Sequence, residues 1–151
     1  MEKTDIKSKL APCGLLCEKC FAYKYGQVIK LSKEMINNLG NFDNYAKRFV
    51  RLVGNPVFEK YPDFKEVLHY FASNSCRGCR AEDCQLNKEC RVKLCYIEKK
   101  VDFCFECENF PCNNTGFDDN LLARWKAINI RMSEIGVEQY YNEIKRKPRY
   151  V

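Results

Sequence analysis

The sequence predicts a mainly α fold, a small helical domain stapled by cysteine-rich zinc knuckles. Apolar residues recur at helical spacing in several segments. No run of alternating β-branched residues indicates a sheet, although a short β-hairpin at a metal knuckle is compatible with the pattern. The chain also carries 11 cysteines in 151 residues, far above ordinary usage. A chain of this length buries enough surface to fold without cross-links, so the cysteines need an explanation of their own.

Three helices are predicted between the first two groups of cysteines. The first carries an apolar stripe and ends at Gly40, and the second runs from about Asp43 to Val53 before a Gly-Asn-Pro breaker. The third opens with Pro62 and ends near Ser73. Their stripes are Val28, Leu31, Met35 and Leu39; Tyr45, Phe49 and Leu52; and Phe64, Leu68 and Phe71. Stripes with this spacing are usually the buried faces of helices, so we expect them to form core.

The last part of the chain, about residues 117–151, is predicted to be a helical tail. Asp118 is suited to cap a helix that Gly136 ends, and Val137–Lys147 predicts a final short helix. The apolar stripe of the longer helix is Leu121, Trp125, Ile128 and Met132. Because no repeat or low-complexity linker interrupts the chain, we expect residues 1–151 to form a single domain.

The cellular compartment decides how the thiols are interpreted. Residues 1–10 carry no secretion signal, and no apolar stretch approaches the roughly 20 residues of a membrane helix. We therefore expect a soluble, cytoplasmic protein with no membrane partner. In that reducing compartment cysteines are usually metal ligands or redox groups, and the odd count argues against complete disulfide pairing.

The spacing of the cysteines favours zinc. Three C-x-x-C pairs occur, at 17 and 20, 76 and 79, and 104 and 107. Random placement would give about 0.7 such pairs. Each pair supplies half of a tetrahedral zinc site, so two or more zinc ions are expected. The candidate ligands are Cys13, Cys17, Cys20, Cys76, Cys79, Cys90, Cys95, Cys104, Cys107 and Cys112.

Other thiol chemistries remain as alternatives. An iron-sulfur cluster would also use thiolates, but the bacterial and plant ferredoxin spacings are absent from the sequence. A thiol redox pair needs a lowered thiol pKa and a strand-helix context that is not predicted here. The Cys13-x-x-x-Cys17-x-x-Cys20 spacing matches radical S-adenosylmethionine enzymes, whose barrels need a longer chain.

Four residues leave the ligand sets open. At about 100° per residue His69 points away from its helix stripe, which favours a solvated side chain, although a ligand role stays open. Cys90 and Cys95 would be about 140° apart on a regular helix, so joint ligation requires a helix that begins after Cys90. Whether Cys84 is a ligand also stays open.

Four cysteine segments occur in a specific combination: residues 11–20 (APCGLLCEKC), residues 76–79 (CRGC), Cys90 with Cys95, and residues 104–112 (CFECENFPC). The combination resembles the domain-of-unknown-function 3795 family over about residues 10–112, and residues 134–138 are similar to that family's helical tail. The resemblance implies a small, prokaryotic-type, cysteine-rich zinc-binding protein whose activity is not established. Ten cysteines match the family pattern and Cys84 is additional, which makes it the first candidate for a free thiol.

The charge and the motifs leave three classes of function. A structural zinc protein with an interaction role is expected first, in which the metal holds residues 73–116 on a helical core. The formal charge of +6 and the basic run at 145–149 suggest a nucleic-acid-binding zinc-knuckle protein as the alternative. Two zinc ions on eight thiolates would reduce the charge to about +2. The sequence contains no recognisable set of catalytic residues, so an enzyme is less expected than either of these binding roles.

Overall fold

The fold is built from helices joined by cysteine-rich loops. The computed structural model describes the backbone of residues 3–150 and the side chains of residues 5–150. In these residues the α-helices are α1 (Lys3–Lys9), α2 (Gln27–Leu39), α3 (Phe42–Leu52), α4 (Tyr61–Ser73), α5 (Val92–Glu98), α6 (Asp119–Ile135) and α7 (Val137–Ile144). Short 3-10 helices span Cys17–Lys19, Pro56–Lys60 and Cys104–Glu106. The prediction of a mainly α fold is confirmed.

The cysteine-rich loops contain two isolated β-bridges in place of the short hairpin that the sequence allows. Leu10 pairs with Leu16 in antiparallel fashion and closes a tight turn around Cys13. Tyr23 pairs with Cys76 in parallel, and so joins the first and second cysteine loops. Within the described backbone neither bridge extends into a strand.

The predicted helices begin within one residue of their expected starts because capping and breaker residues mark them. The Asp118 side chain accepts a hydrogen bond from the Leu121 N–H at 2.8 Å, as a helix N-cap does. Sequence reasoning missed α1, whose seven residues are too short to show a clear period. Ile6 of α1 is nevertheless almost fully buried and helps to anchor the chain's start in the core.

The core lies along α6. One buried cluster, which contains Met132, joins α1, α6 and α7, and a second, which contains Trp125, joins α6 to the cysteine loops. Trp125 and Met132 are two turns apart on the same face of α6, so a single helix supports both clusters. The predicted stripe of this helix is therefore confirmed at its two most buried positions.

The stripes of α2 and α3 do not form the core that the sequence predicts, whereas in α4 the stripe residue Leu68 is buried. In α2 the buried residues are Ile29 and Ser32, whereas Leu31 remains 50% exposed. Helix α2 packs on α4, and α3 packs chiefly on the 3-10 helix Pro56–Lys60, so the group is too small to enclose both sides of each helix. The predicted core positions that prove exposed are Leu31, Met35, Tyr45, Leu52 and Phe64. No helix in the part of the chain seen here is long and apolar enough to span a membrane.

Candidate metal centre

The cysteines gather into three sets, and within residues 3–150 all 11 are free thiols. A cavity of about 510 Å³ is lined by five of them: Cys13, Cys17, Cys79, Cys84 and Cys90. A cavity of about 30 Å³ is lined by four: Cys95, Cys104, Cys107 and Cys112. The last two, Cys20 and Cys76, lie in a small buried cluster with Ala22. Each of the ten predicted ligands therefore belongs to one of these sets.

Tight turns fix the C-x-x-C pairs. In the first and third pairs a 3-10 turn joins the two cysteines: the Cys20 N–H donates to the Cys17 carbonyl at 2.9 Å, and the Cys107 N–H donates to the Cys104 carbonyl at 3.1 Å. In the second pair Gly78 has a φ of +99°, which favours glycine. Its N–H donates to the Cys76 thiol at 3.4 Å. Each loop thus holds two thiols close together by backbone geometry alone.

Backbone N–H groups point at several thiols. The Asn87 N–H donates to the Cys84 sulfur at 3.4 Å. Nearby backbone N–H groups also act to lower the pKa values of Cys13, Cys17 and Cys90. Burial raises the pKa of Cys13, Cys76 and Cys90, and the N–H groups oppose that rise. Such donors stabilise the thiolate, which is the form that binds metal.

Cys79 lies at the centre of the large thiol set. It lines the large cavity with Cys17 and Cys84, and its neighbour Gly78 lies beside Cys17, whose Cβ would be 3.8 Å from a Cβ at position 78. The interaction of Cys79 with Cys17 and Cys84 raises the pKa of Cys79 and lowers the pKa values of the other two thiols. The positive charge of Arg149 lowers the pKa of Cys17 and of Cys84 further. Three sulfurs and one guanidinium therefore line the same cavity.

The small cavity lies against Trp125. Burial raises the pKa of Cys104 to about 11, and an interaction with the Trp125 indole N–H acts in the opposite direction. That N–H is buried and has no nitrogen or oxygen partner. The Phe110 ring packs edge-on against Trp125, with the ring centroids 5.0 Å apart. A volume of about 30 Å³ is close to the share of one water molecule in the liquid, so there is room for a single ion.

The thiols surround cavities but do not converge on a point. Among the residues whose side chains are described, no three or more His, Cys, Asp or Glu side chains are already arranged around one ion position. The small set nevertheless offers the donors that zinc prefers, four thiols, beside an indole N–H that lacks a partner.

Comparison with known proteins identifies the family. A family model described as "Protein of unknown function (DUF3795)" matches residues 9–116. The chain belongs to this family. The match confirms the resemblance in the cysteine segments and ends before residues 134–138, the stretch compared with the family's helical tail. No curated protein and no solved structure matches the chain.

The DUF3795 match contains all three thiol sets, and Cys84 with them. Sequence reasoning treats Cys84 as additional, whereas the structure places it on the wall of the large cavity with four other cysteines. The sequence feature that could have indicated this placement is the position of Cys84 between Cys79 and Cys90, in a segment without apolar periodicity. His69 is exposed on α4 and lines neither thiol cavity.

Cys90 and Cys95 belong to different sets of this DUF3795 protein. Helix α5 begins at Val92, after Cys90, which satisfies the condition for joint ligation. Cys90 nevertheless lines the large cavity, while Cys95 lines the small one on the other side of the helix start. Val92 between them is buried and lines both cavities, so it separates the two thiols.

The basic run at 145–149 packs against the first cysteine loop. Arg149 donates a hydrogen bond to the Leu16 carbonyl, and the Lys19 ammonium donates to the Lys147 carbonyl at 2.6 Å. The Tyr150 hydroxyl accepts a hydrogen bond from the Phe21 N–H at 3.0 Å. This end of the chain therefore forms a strap across the thiols, and Arg149 supplies the cation that faces them.

Gly116 permits a close approach to the Cys90 loop. It has a φ of +72°, and an added Cβ would lie 1.9 Å from the Glu89 carbonyl oxygen. The adjacent Arg91 N–H donates to the Thr115 carbonyl at 3.0 Å, which holds the two backbones together. A side chain at position 116 would therefore push the Cys90 loop away.

The substitution Gly116→Ala is expected to destabilise the protein by about 3 kcal/mol, because left-handed strain adds to a backbone clash. Gly54→Ala is the matched control, since Gly54 has a φ of +67° but open space around it. The control should be destabilised by the backbone strain alone, at a cost of about 1 to 2 kcal/mol. Urea unfolding of both variants measures the difference, and equal losses would show that the close approach at Gly116 is unimportant.

Proposed function

We propose that this DUF3795 protein binds zinc and that the metal is mainly structural. The set around the small cavity carries the proposal: Cys95, Cys104, Cys107 and Cys112. Structural zinc takes four ligands in a tetrahedron, with zinc-sulfur distances of about 2.3 Å. A cysteine sulfur moves between staggered positions by rotation about one bond, so thiols around one small cavity can turn toward an ion at its centre.

Trp125 supports this assignment. Its buried N–H lacks a partner in the thiol form, and a Cys104 thiolate on zinc would accept a hydrogen bond from it. Aromatic and aliphatic side chains, among them Phe110 and Val92, also line the cavity. A set of four thiols with space for one ion leaves no coordination position for a substrate, which is characteristic of a structural site.

The first two C-x-x-C pairs are proposed to hold a second zinc ion. The parallel bridge brings them together: the Cys76 N–H donates to the Ala22 carbonyl at 3.0 Å, and the Lys24 N–H donates to the Cys76 carbonyl at 2.7 Å. Cys17 with Cys20, and Cys76 with Cys79, would each supply half of the site. Because these pairs flank the segment that contains α2, α3 and α4, the ion would tie the two ends of that segment together.

Two observations favour this function over the alternatives. The small cavity has about the volume of one water molecule, which leaves space for a single ion and too little for a multi-iron cluster. Arg149 is engaged with the Leu16 carbonyl and the nearby thiols, which favours a structural role for the basic run over nucleic-acid binding.

Elemental analysis of protein purified without added metal should find at least two equivalents of zinc. The substitution Trp125→Phe, which removes the N–H but keeps an aromatic ring, should weaken zinc binding at the Cys95–Cys112 set about 10- to 100-fold. Competition with a chromogenic chelator measures this effect. Tyr140→Phe is the control, because it removes a polar atom from a buried aromatic residue in the other core cluster. An absence of zinc, or iron with a brown visible spectrum, would overturn the proposal.

A further inference from the structure

The large cavity has the size of a site for a small organic molecule. Its volume is about 510 Å³, and small-molecule sites in proteins occupy about 300 to 1,000 Å³. Such sites are mostly apolar and carry a few polar groups that orient the ligand. A zinc ion held by Cys17 and Cys79 would occupy only a small part of this volume. The rest of the cavity is therefore available to a second, larger ligand.

The buried part of the cavity wall is apolar. Leu15, Phe117 and Leu121 are half-buried on the same wall. A neutral thiol behaves as a small hydrophobic side chain, so it does not interrupt an apolar surface. The fully buried lining residues are Ala11, Pro12, Cys13, Cys17 and Val92. An apolar ligand body would lose its contact with water here, which is the main favourable contribution to binding.

The charged residues of the wall lie closer to solvent. Lys93, Arg124 and Arg149 are half-buried, and Glu89 and Asp118 are exposed. The lining thus changes from apolar, where it is buried, to charged, where it meets solvent. Because burial of a charge is costly, a ligand with an apolar body and a charged head group would place the body inside and the head group near the opening.

Two of the cations lack an acidic partner. In the described part of the chain, no carboxylate lies within salt-bridge distance of Arg124 or Arg149. Arg124 donates to the Arg149 carbonyl at 2.5 Å, and Arg149 donates to the Leu16 carbonyl. A guanidinium has more N–H donors than one such bond uses. By contrast, Arg131 on the same helix as Arg124 pairs with Glu143 at 2.8 Å.

The other charges of the cavity indicate the charge of the head group. Lys93 pairs with Asp83 at 3.0 Å, and the Asp118 carboxylate caps α6, so both charges are already compensated. The two arginines and Glu89 remain, which is an excess of one positive charge. A carboxylate would neutralise that excess and fits the fork of a guanidinium. A phosphate, with nearly two negative charges, would exceed it.

We infer that the large cavity binds a small monocarboxylic acid with an apolar body, in its ionised form. Arg124 and Arg149 would hold the carboxylate through charge-assisted hydrogen bonds. The apolar body would lie against Leu15, Val92 and Leu121. This binding site goes beyond the proposed function, because its ligand is an organic anion and is not held by thiolates.

Calorimetric titration of the metal-loaded protein with decanoate tests the site, with decanol and decyl phosphate as comparison ligands. Decanoate should bind to a single site with a dissociation constant below about 1 mM. It should bind at least about 10-fold more tightly than decanol, because only a charged head group gains charge-assisted hydrogen bonds.

The substitution Arg149→Gln should weaken decanoate binding about 10- to 100-fold and leave decanol binding unchanged. A collapsed cavity would weaken both ligands alike, so the pair of ligands separates charge from structure. Arg146→Gln is the matched control, since Arg146 is an exposed residue of the same basic run and does not line the cavity.

A larger side chain at position 86 tests the location of the site. Leu86 lines the cavity and is exposed, so Leu86→Trp places a ring at the cavity without disturbing buried packing. It should weaken binding of decanoate and decanol alike by at least about 10-fold. Leu94→Trp is the control, because Leu94 is also exposed and lines neither thiol cavity.

Zinc content and circular dichroism of each variant show that it is loaded and folded. No decanoate binding by protein with its full zinc content would overturn this site and leave the proposed function intact. Equal affinity for decanoate and decanol, or tighter binding of decyl phosphate, would overturn the carboxylate head group and with it the inference. Decanoate binding to folded protein that contains no zinc would support this site while overturning the proposed function.

Discussion

Removal of zinc by a strong chelator is expected to unfold the segment from Cys76 to Cys112. This segment contributes few large side chains to the core, chiefly Val92 and Phe103. Structural zinc supplies about 10 to 16 kcal/mol per site, whereas the whole stability of a domain is about 5 to 15 kcal/mol. Apolar burial alone is therefore insufficient to keep the segment folded once the ions are gone.

Helices α2, α3 and α4 should respond less to the chelator. They contact one another through an aromatic group in which the Phe42 and Tyr61 ring centroids are 4.9 Å apart and the Phe49 and Phe58 centroids are 5.6 Å apart. These contacts involve no thiol, so loss of metal should loosen the ends of this group before its interior.

Hydrogen exchange before and after chelation measures the difference between the two parts. Amides of residues 76–112 should lose protection, while those within α2 and α4 should keep most of theirs. Trp125 is the sole tryptophan, so a red shift of its fluorescence reports the opening of the cluster beside the small cavity. Addition of zinc should restore both signals. Unchanged protection across residues 76–112 after complete metal removal would contradict the structural role.

The helices were predictable because the chain marks their ends. Gly40, Gly136 and the Asp118 cap fix where helices begin or end, independently of what the helices contact. The buried face of a helix is harder to predict, because it depends on the element against which the helix packs. Leu31 lies on a regular apolar stripe and is still half exposed, because α2 packs on α4 through a neighbouring face.

The cysteine pairs were recognisable in the sequence, but the grouping of the cysteines around the cavities was not. A C-x-x-C pair indicates half of a metal site and carries no information about its other half. Cys17 and Cys79 are far apart in sequence and meet only because the chain returns at the Tyr23–Cys76 bridge. Cys90 and Cys95 are neighbours in sequence, yet they line different cavities because α5 begins between them. Tertiary structure decides both cases.

Replacement of Asn129 by alanine is expected to destabilise the protein by about 4 kcal/mol. Asn129 is fully buried on α6. Its side-chain N–H₂ donates to the carbonyls of Cys13 and Trp125, each at 2.9 Å, and its oxygen accepts from the Phe105 N–H at 3.1 Å. Alanine would leave the Cys13 carbonyl and the Phe105 N–H buried without partners, at a cost of about 1 to 3 kcal/mol each.

Urea unfolding of the metal-loaded protein measures this loss. Asn120→Ala is the control on the same helix, because Asn120 is exposed and its replacement should change the free energy of unfolding by less than about 0.5 kcal/mol. Since Cys13 and Phe105 belong to the first and third cysteine loops, Asn129→Ala should also weaken metal binding at both the large and the small thiol sets.

Asn129→Leu separates hydrogen bonding from packing. Leucine has the same branching as asparagine and is somewhat larger, so it leaves no cavity, but it leaves the same two backbone groups unpaired and should be at least as destabilising as alanine. If leucine restored stability, the cavity left by alanine would be the cause, and the polar link would be of little consequence. If both variants lose about 4 kcal/mol, one buried amide on α6 holds two cysteine loops in register through hydrogen bonds.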